Sequence, residues 1–218
     1  MNFVLIFLAL VWLLPAIPVS PAHAEMDVGV SIGEEGIRRF YVSVGDYYRV
    51  PEQEIVVIRQ RGVPYEEIPV VFFLASRAHV APETIIDLRL SGRSWMDITL
   101  HFGLGPDIFY VPVQAEVHGP PYGKAYGYYK HKPRKQWKTI HLENDDVVNL
   151  VNLRFVSEYQ GCDPGDVIRM RSQGRNFVVI NDEIKKGGKH PGKLEDHGKS
   201  QEKEHGKNKG KGKGHQDE

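Results

Sequence analysis

Side chains able to do chemistry gather in two stretches. Between Gln114 and Lys138, Tyr122, Tyr126, Tyr128, Tyr129 and Trp137 are interleaved with Lys124, Lys130, His131, Lys132, Arg134 and Lys135. Planar rings can stack on sugars or bases, and the cations can meet phosphate or carboxylate. This is the composition of a binding loop; the plainer alternative is a linker whose tyrosines pack on its neighbours and whose lysines are solvated. The second stretch is the C-terminal tail, where His190, His197, His205 and His215 recur among lysines and glycines. Neutral imidazoles on a flexible chain can bind nickel, copper or zinc weakly, or the tail can serve only as a basic solubilising segment.

Elsewhere the chemistry is sparse. Asp97 and His101 stand four apart and can share one helix face, but two ligands alone make a surface hydrogen bond the simpler reading. There is no GxSxG elbow, HExxH, P-loop or CxxC. No cofactor is implied. Cys162, the sole cysteine, excludes an intramolecular disulfide framework and reads as a small apolar thiol in a core.

The elements that position these residues carry a motif that occurs three times: IVVIRQRGVPYEEI at 55–68, IIDLRLSGRSWMDI at 85–98 and VIRMRSQGRNFVVI at 167–180. Each has two branched apolar residues, an arginine, a glycine three residues later, then an aromatic and an isoleucine. The pattern reads as helix, turn, helix. Pro51, Pro82 and Pro164 precede the copies, where a first helical turn tolerates a missing donor. Arg59, Arg89 and Arg171 fall at the ends of the first helices, where cations suit the dipole. Gly62, Gly92 and Gly174 close those helices in the left-handed conformation. Tyr65, Trp95 and Phe177 begin second helices, with Ile68, Ile98 and Ile180 one turn later. A strand is the competing reading for the first and third copies, whose valines and isoleucines favour it. The copies are offset by 30 and 82 residues, which suits duplication of a short unit better than an even array. At the larger offset, 69–82 aligns with 151–164, so a longer helix precedes each later copy and Cys162 takes the place of Val80.

The expected fold is mainly α with a small β element: two helical lobes built from the repeated unit, and a disordered tail. Residues 1–24 read as a cleavable signal peptide, with an apolar run from Phe3 to Leu14, prolines at 15 and 18, and Ala22-His23-Ala24 as the cleavage site. Residues 25–50 alternate apolar and polar around GEEG and suggest the β element. Residues 51–113 form the first lobe, closed by an extended DIFYVPV at 107–113. Residues 114–138 are the Tyr/Gly/Pro/Lys-rich loop, 139–185 the second lobe, and 186–218 the tail. From Lys185 onward ten lysines face six acids, a net of +4, which leaves −4 on the rest of a chain whose charges sum to zero. With few large apolar residues the tail cannot offset the entropy of ordering.

GDYYRVP at 45–51, PVVFFLASRA at 69–78, SWMDITLHFGL at 94–104, FYVPV at 109–113, GPPYGKAYGYY at 119–129 and VNLRFVSE at 151–158 together resemble a family of exported proteins of Gram-negative bacteria for which no activity is known. The resemblance implies a periplasmic or outer location and assigns no functional residue. The expected function is therefore that of an exported, non-enzymatic binding or structural protein of the envelope, whose partner is an envelope polymer or another protein. A divalent-metal protein using the tail histidines is the alternative. An enzyme whose site is assembled only in three dimensions is a further one. A DNA reader is disfavoured: the helix from Ser94 to Gly103 lacks the Arg, Asn and Gln that read base edges, and export removes chromosomal DNA as a partner. No transmembrane span is expected after cleavage. Titrating the full-length protein with nickel, copper and zinc, beside a version ending at Lys185, tests the tail. If the tail is the chelator, truncation abolishes the heat; unchanged heat eliminates it.

Overall fold

The computed structural model describes residues 33–114 and 116–187, which are mainly helical and contain no strand. The helix α1 spans Glu34–Tyr48. The β element expected over 25–50 is thus corrected over its described part. Phe40, Tyr41, Val44 and the half-buried Ile37 and Tyr48 recur at helical spacing and face the core together. GEEG is the start of this helix, with Glu34 and Glu35 in the first turn where the dipole favours acids. The local alternation of FYVSV lost to that wider periodicity.

Eight further helices follow among the described residues: α2 (Glu52–Gln60), α3 (Ile68–Ala78), α4 (Pro82–Leu90), α5 (Trp95–His101), α6 (Gly123–His131), α7 (Asn144–Gln160), α8 (Pro164–Ser172) and α9 (Phe177–Gly187). Shorter 3-10 turns occupy Tyr65–Glu67, Pro106–Phe109 and Arg134–Thr139. The DIFYVPV stretch is therefore helical at its start and extended only from Tyr110. The competing strand reading for the first and third motif copies gives way to helix. In α2, Ile55 and Ile58 are buried while Val56 and Val57 are exposed, a helical division of an IVVI run.

The turns between the helices of the three motif stretches have one geometry. Gly62, Gly92 and Gly174 have φ of +97°, +93° and +85°. Each glycine N–H donates to the carbonyl of the arginine three residues earlier at 3.0 Å. Each arginine then reaches across the turn with Nη1 to a carbonyl: Arg59 to Val63 at 3.2 Å, Arg89 to Arg93 at 3.1 Å, Arg171 to Arg175 at 3.3 Å. Two of the guanidinium groups also lie over the aromatic ring that opens the next helix, 4.8 Å from the Trp95 centroid and 5.4 Å from that of Phe177. Ile68, Ile98 and Ile180 are fully buried. The first stretch departs from the other two at Tyr65, which is half-buried and opens a 3-10 turn between Pro64 and Pro69.

The helix before each motif stretch also closes in one way. Arg49, His79 and Gly161 cap α1, α3 and α7 in the left-handed conformation, with φ of 58°, 58° and 64°. The next amide then reaches back five residues, from Val50 to Gly45, Val80 to Ala75 and Cys162 to Ser157, at 3.0–3.1 Å.

These helices bury their apolar faces in one core. The expected division into two lobes is corrected: buried side chains from 51–113 and from 139–185 belong to a single cluster. Helix α7 lies at its centre, packed against α1, α3, α5, α8 and α9, and α1 bridges to α9. Arg39 of α1 is hydrogen-bonded and ion-paired to Asp182 of α9. None of the described helices is long and apolar enough to cross a membrane.

Two stability measurements follow. Arg89 grips Glu67 with Nε and Nη2 at 2.9 and 2.7 Å, both side chains being mostly buried, whereas Arg59 is exposed. Arg89→Lys, which loses the planar fork, is expected to cost about 1–3 kcal/mol in urea unfolding, and Arg59→Lys clearly less. Burial pushes the Asp182 carboxyl up, but hydrogen bonds from Arg39 and Lys186 outweigh it and hold the group below the ordinary carboxylate range. A carboxyl with a depressed folded pKa contributes stability that is present above its unfolded value and lost as pH falls through the folded one. Asp182→Asn is therefore expected to lower stability at neutral pH and to flatten its decline below about pH 4, read from urea melts across that range.

Candidate functional site

The stretch expected to be an irregular loop over 114–138 is corrected: Gly123–His131 form α6 and Arg134–Thr139 a 3-10 turn. Its glycines weaken a helix in isolation. Helical spacing of the large residues prevails, because Tyr122, Ala125 and Tyr129 fall on one face and are buried. Their hydroxyls are used inward. Tyr122 donates to the Asn149 carbonyl at 3.3 Å and Tyr129 to that of Pro106 at 2.6 Å. Burial raises the hydroxyl pKa of both well above the ordinary tyrosine value. Tyr126, half-buried, donates to the Val111 carbonyl at 2.8 Å and is likewise raised by burial.

The opposite face of α6 is open. Gly123, Tyr126, Gly127, Lys130 and His131 line a groove of about 440 Å³. Across it lies the segment from Tyr110 to His118, with Val113, Gln114, Glu116 and Val117 in the wall, and Trp137 closes one side. Trp137 is fixed by Nε1 donating to the carbonyls of Lys132 at 2.9 Å and Tyr129 at 3.2 Å. Its ring packs 4.6 Å from that of Tyr110 and 5.0 Å from that of Tyr129, and Arg134 lies over it at 5.3 Å.

Both helix glycines shape this groove. A Cβ on Gly123 would stand 3.1 Å from the backbone of His118, so the glycine lets that segment pass close. A Cβ on Gly127 would meet nothing within 4 Å. A glycine inside a helix costs about 0.5–1 kcal/mol relative to alanine, and no internal contact explains this one.

Charge sits at the rim. Glu116 accepts from Lys130 at 2.9 Å and contacts His118 Nε2 at 3.0 Å. The hydrogen bond from Lys130, then that from His118, holds the Glu116 carboxyl below its usual range. Among the described residues, Lys132 Nζ reaches the Thr139 hydroxyl, at 3.3 Å.

Of the residues expected to bind, the fold brings Tyr126, Tyr129, Lys130 and Trp137 to the groove. Tyr122 lies beneath it, Tyr128 is half-buried, and Lys132 and Arg134 belong to the adjoining surface. The sequence reading missed Tyr110, Glu116, His118 and Gly127. The spacing of Gly123, Gly127 and His131 by fours is the signal that marks a bare helix face.

Other candidates lie elsewhere. Asp97 bonds back to Ser94 in a capping box, and this bond holds its carboxyl low. His101 is exposed, its ring set against Phe102. Among the described residues, no group of three or more His, Cys, Asp or Glu is placed to hold a metal. Helix α5 buries Trp95, Met96, Ile98 and Thr99 and presents Asp97, Leu100 and His101 outward. Burial pushes the Cys162 thiol up to about 11, away from a reactive thiolate. The tail residues His190, His197, His205 and His215 and the leader 1–24 lie outside the described residues.

No known protein family, curated protein or solved structure matches the chain. Because the α6 tyrosines are core residues, Tyr129→Ala is expected to cost about 3–5 kcal/mol in denaturant unfolding, with Tyr128→Ala costing much less.

Proposed function

We propose that the protein is an exported, non-enzymatic binding protein of the cell envelope, periplasmic or secreted, that holds an envelope polymer or a protein partner in the groove beside α6. The groove itself carries this reading. Concave, partly apolar surfaces with a few convergent polar groups are where ligands bind, and this one combines ring edges, valines and a charged rim. Its polar groups favour holding over reacting: the Glu116 carboxylate already engages the Lys130 ammonium and the His118 ring, and the hydroxyls of Tyr126 and Tyr129 are turned to backbone carbonyls. The leader-like residues 1–24 and the resemblance to exported proteins support the location.

In the same reading, a duplicated unit built the scaffold. It consists of a long helix with a left-handed cap, a short helix, the arginine-bridged glycine turn and a following helix. The caps at 49, 79 and 161 and the turn glycines at 62, 92 and 174 keep the offsets of 30 and 82 that the motif has in the sequence.

Filling the groove tests the binding role. Gly127→Trp adds a ring where a Cβ has open space, so the melting temperature should not fall, while retention of the protein on purified envelope fractions should be abolished. Retention equal to that of the unaltered protein would sink the proposal.

A further inference from the structure

We infer that the ligand of this groove is an acidic polysaccharide, whose carboxylates replace Glu116 on Lys130 and His118 as its chain passes over the bare Gly127. The inference rests on the binding reading above and names its ligand class.

Charge is the first reason. From Val117 to Leu142 the sequence holds six lysines and arginines and not one acid, with Glu116 and Glu143 at its borders. Among the described residues, Glu116 is the carboxylate in ion-pair distance of Lys130, and no carboxylate lies that close to Lys124, Lys132, Arg134, Lys135 or Lys138. The stretch that carries the groove therefore offers several cations outside ion-pair distance of any described carboxylate, which suits a ligand with repeated negative charge rather than one carrying a single acid. Among the described lysines and arginines, Lys130 is the one that lines the groove, and Glu116 occupies it. A ligand acid arriving there exchanges one carboxylate for another, so the Lys130 hydrogen bond is kept and Glu116 is released to water.

Gly127 is the second and independent reason. Its missing side chain is not required by any neighbour, yet it leaves the middle of the groove floor open between Gly123 and His131. A backbone this bare allows close approach by a chain lying along the groove.

The wall decides for a sugar. Stacking of nucleobases needs a free ring face, but Arg134 lies over Trp137, and Tyr110 and Tyr129 pack against the same ring. A lipid surface needs an exposed apolar patch, whereas among the described residues the exposed large apolar ones are Val56, Val57, Leu90 and Leu100, none of which lines the groove. Val113, Val117 and the ring edges supply shallow apolar walls for a pyranose, and Gln114 and His131 can meet its hydroxyls.

The test uses the full-length mature protein and four probes: oligogalacturonate, uncharged dextran of equal size, oligothymidylate, and phosphatidylglycerol vesicles. Oligogalacturonate should bind best, less tightly as salt rises. Lys130→Gln should weaken it on the order of tenfold. Glu116→Gln, which removes the internal competitor, should tighten it. Gly127→Ala should raise the melting temperature by about 2–4 °C while weakening binding, a pairing that misfolding cannot mimic. Equal binding of dextran would overturn the acidic ligand but leave the groove reading standing, as would no binding of oligogalacturonate alongside envelope retention that Gly127→Trp abolishes. Preference for oligothymidylate or vesicles would overturn it too. Oligogalacturonate binding unchanged by all three substitutions would assign that binding to cations elsewhere, the lysine-rich tail included, and overturn it. Envelope retention unaffected by Gly127→Trp would remove the groove reading itself.

Discussion

Helix α7 is buried on nearly every side, and the rest of the structure is arranged to satisfy it. Val147, Leu150, Val151, Leu153, Phe155 and Val156 are buried around its circumference, and so are Asn149, Asn152 and Ser157. A buried polar group without a partner costs about 1–3 kcal/mol, and among the described residues Asn152 Oδ1 and Arg154 Nε stay unpartnered while the other buried side-chain groups of this helix find bonds. Ser157 and the Asn149 amide turn back to carbonyls of α7 itself, at 2.7 and 2.8 Å, and other bonds reach the motif stretches. Asn152 donates to the Glu66 carbonyl in the first at 2.8 Å, Asn144 accepts from the Trp95 N–H in the second at 2.9 Å, and Asn149 accepts from Arg171 Nε in the third at 3.1 Å. Glu66 also accepts from the Phe177 N–H, joining the first stretch to the third. The glycine turns are thereby held in register by directional bonds, which apolar packing alone does not supply.

The same helix carries the groove. Arg154 donates to the carbonyls of Ile108 and Tyr110, at 3.2 and 2.8 Å, and so fixes the start of the segment that forms the far wall. Tyr122 reaches from the start of α6 to the Asn149 carbonyl. One wall and the floor therefore hang from a single rigid element. A ligand bound between them meets a surface set before it arrives, which lowers the ordering cost of binding.

Much of the scaffold was legible in the residues, for a physical reason. Arg59, Gly62 and Ile68, with their counterparts, act within a few residues of one another, through a turn whose φ admits glycine and a guanidinium that reaches four residues on. Spacing records such local interactions directly. Two features were misread because they depend on distant partners. The alternation in FYVSV suggests a strand until the neighbouring helices α2, α3, α7 and α9 claim Phe40, Tyr41 and Val44 as one buried helical stripe. GKAYGYYKH looks irregular because its glycines weaken a helix in isolation, and tertiary burial of Tyr122, Ala125 and Tyr129 overrides that weakness. The single core has the same origin, since nothing local says that α3 packs on α7.

The candidate site was half visible for a related reason. Aromatic and basic residues between 114 and 138 were recognisable by type, but type alone could not separate the tyrosines that build the floor from the groups that face the groove. That division follows from the phase of α6. Turning one face inward spends Tyr122 and Tyr129 on stability and leaves Gly123, Gly127 and His131 outward, so the least conspicuous residues of the stretch define its open side. Glu116 is informative in the same way. A lone acid bordering a long basic run looks incidental in the sequence, yet in the fold it faces Lys130 and His118 together. A protein that merely needed these lysines for solubility would gain nothing by neutralising one of them inside this groove. A binding surface gains a defined resting state, in which the key cation is held in place by a partner that a ligand's own acid can displace.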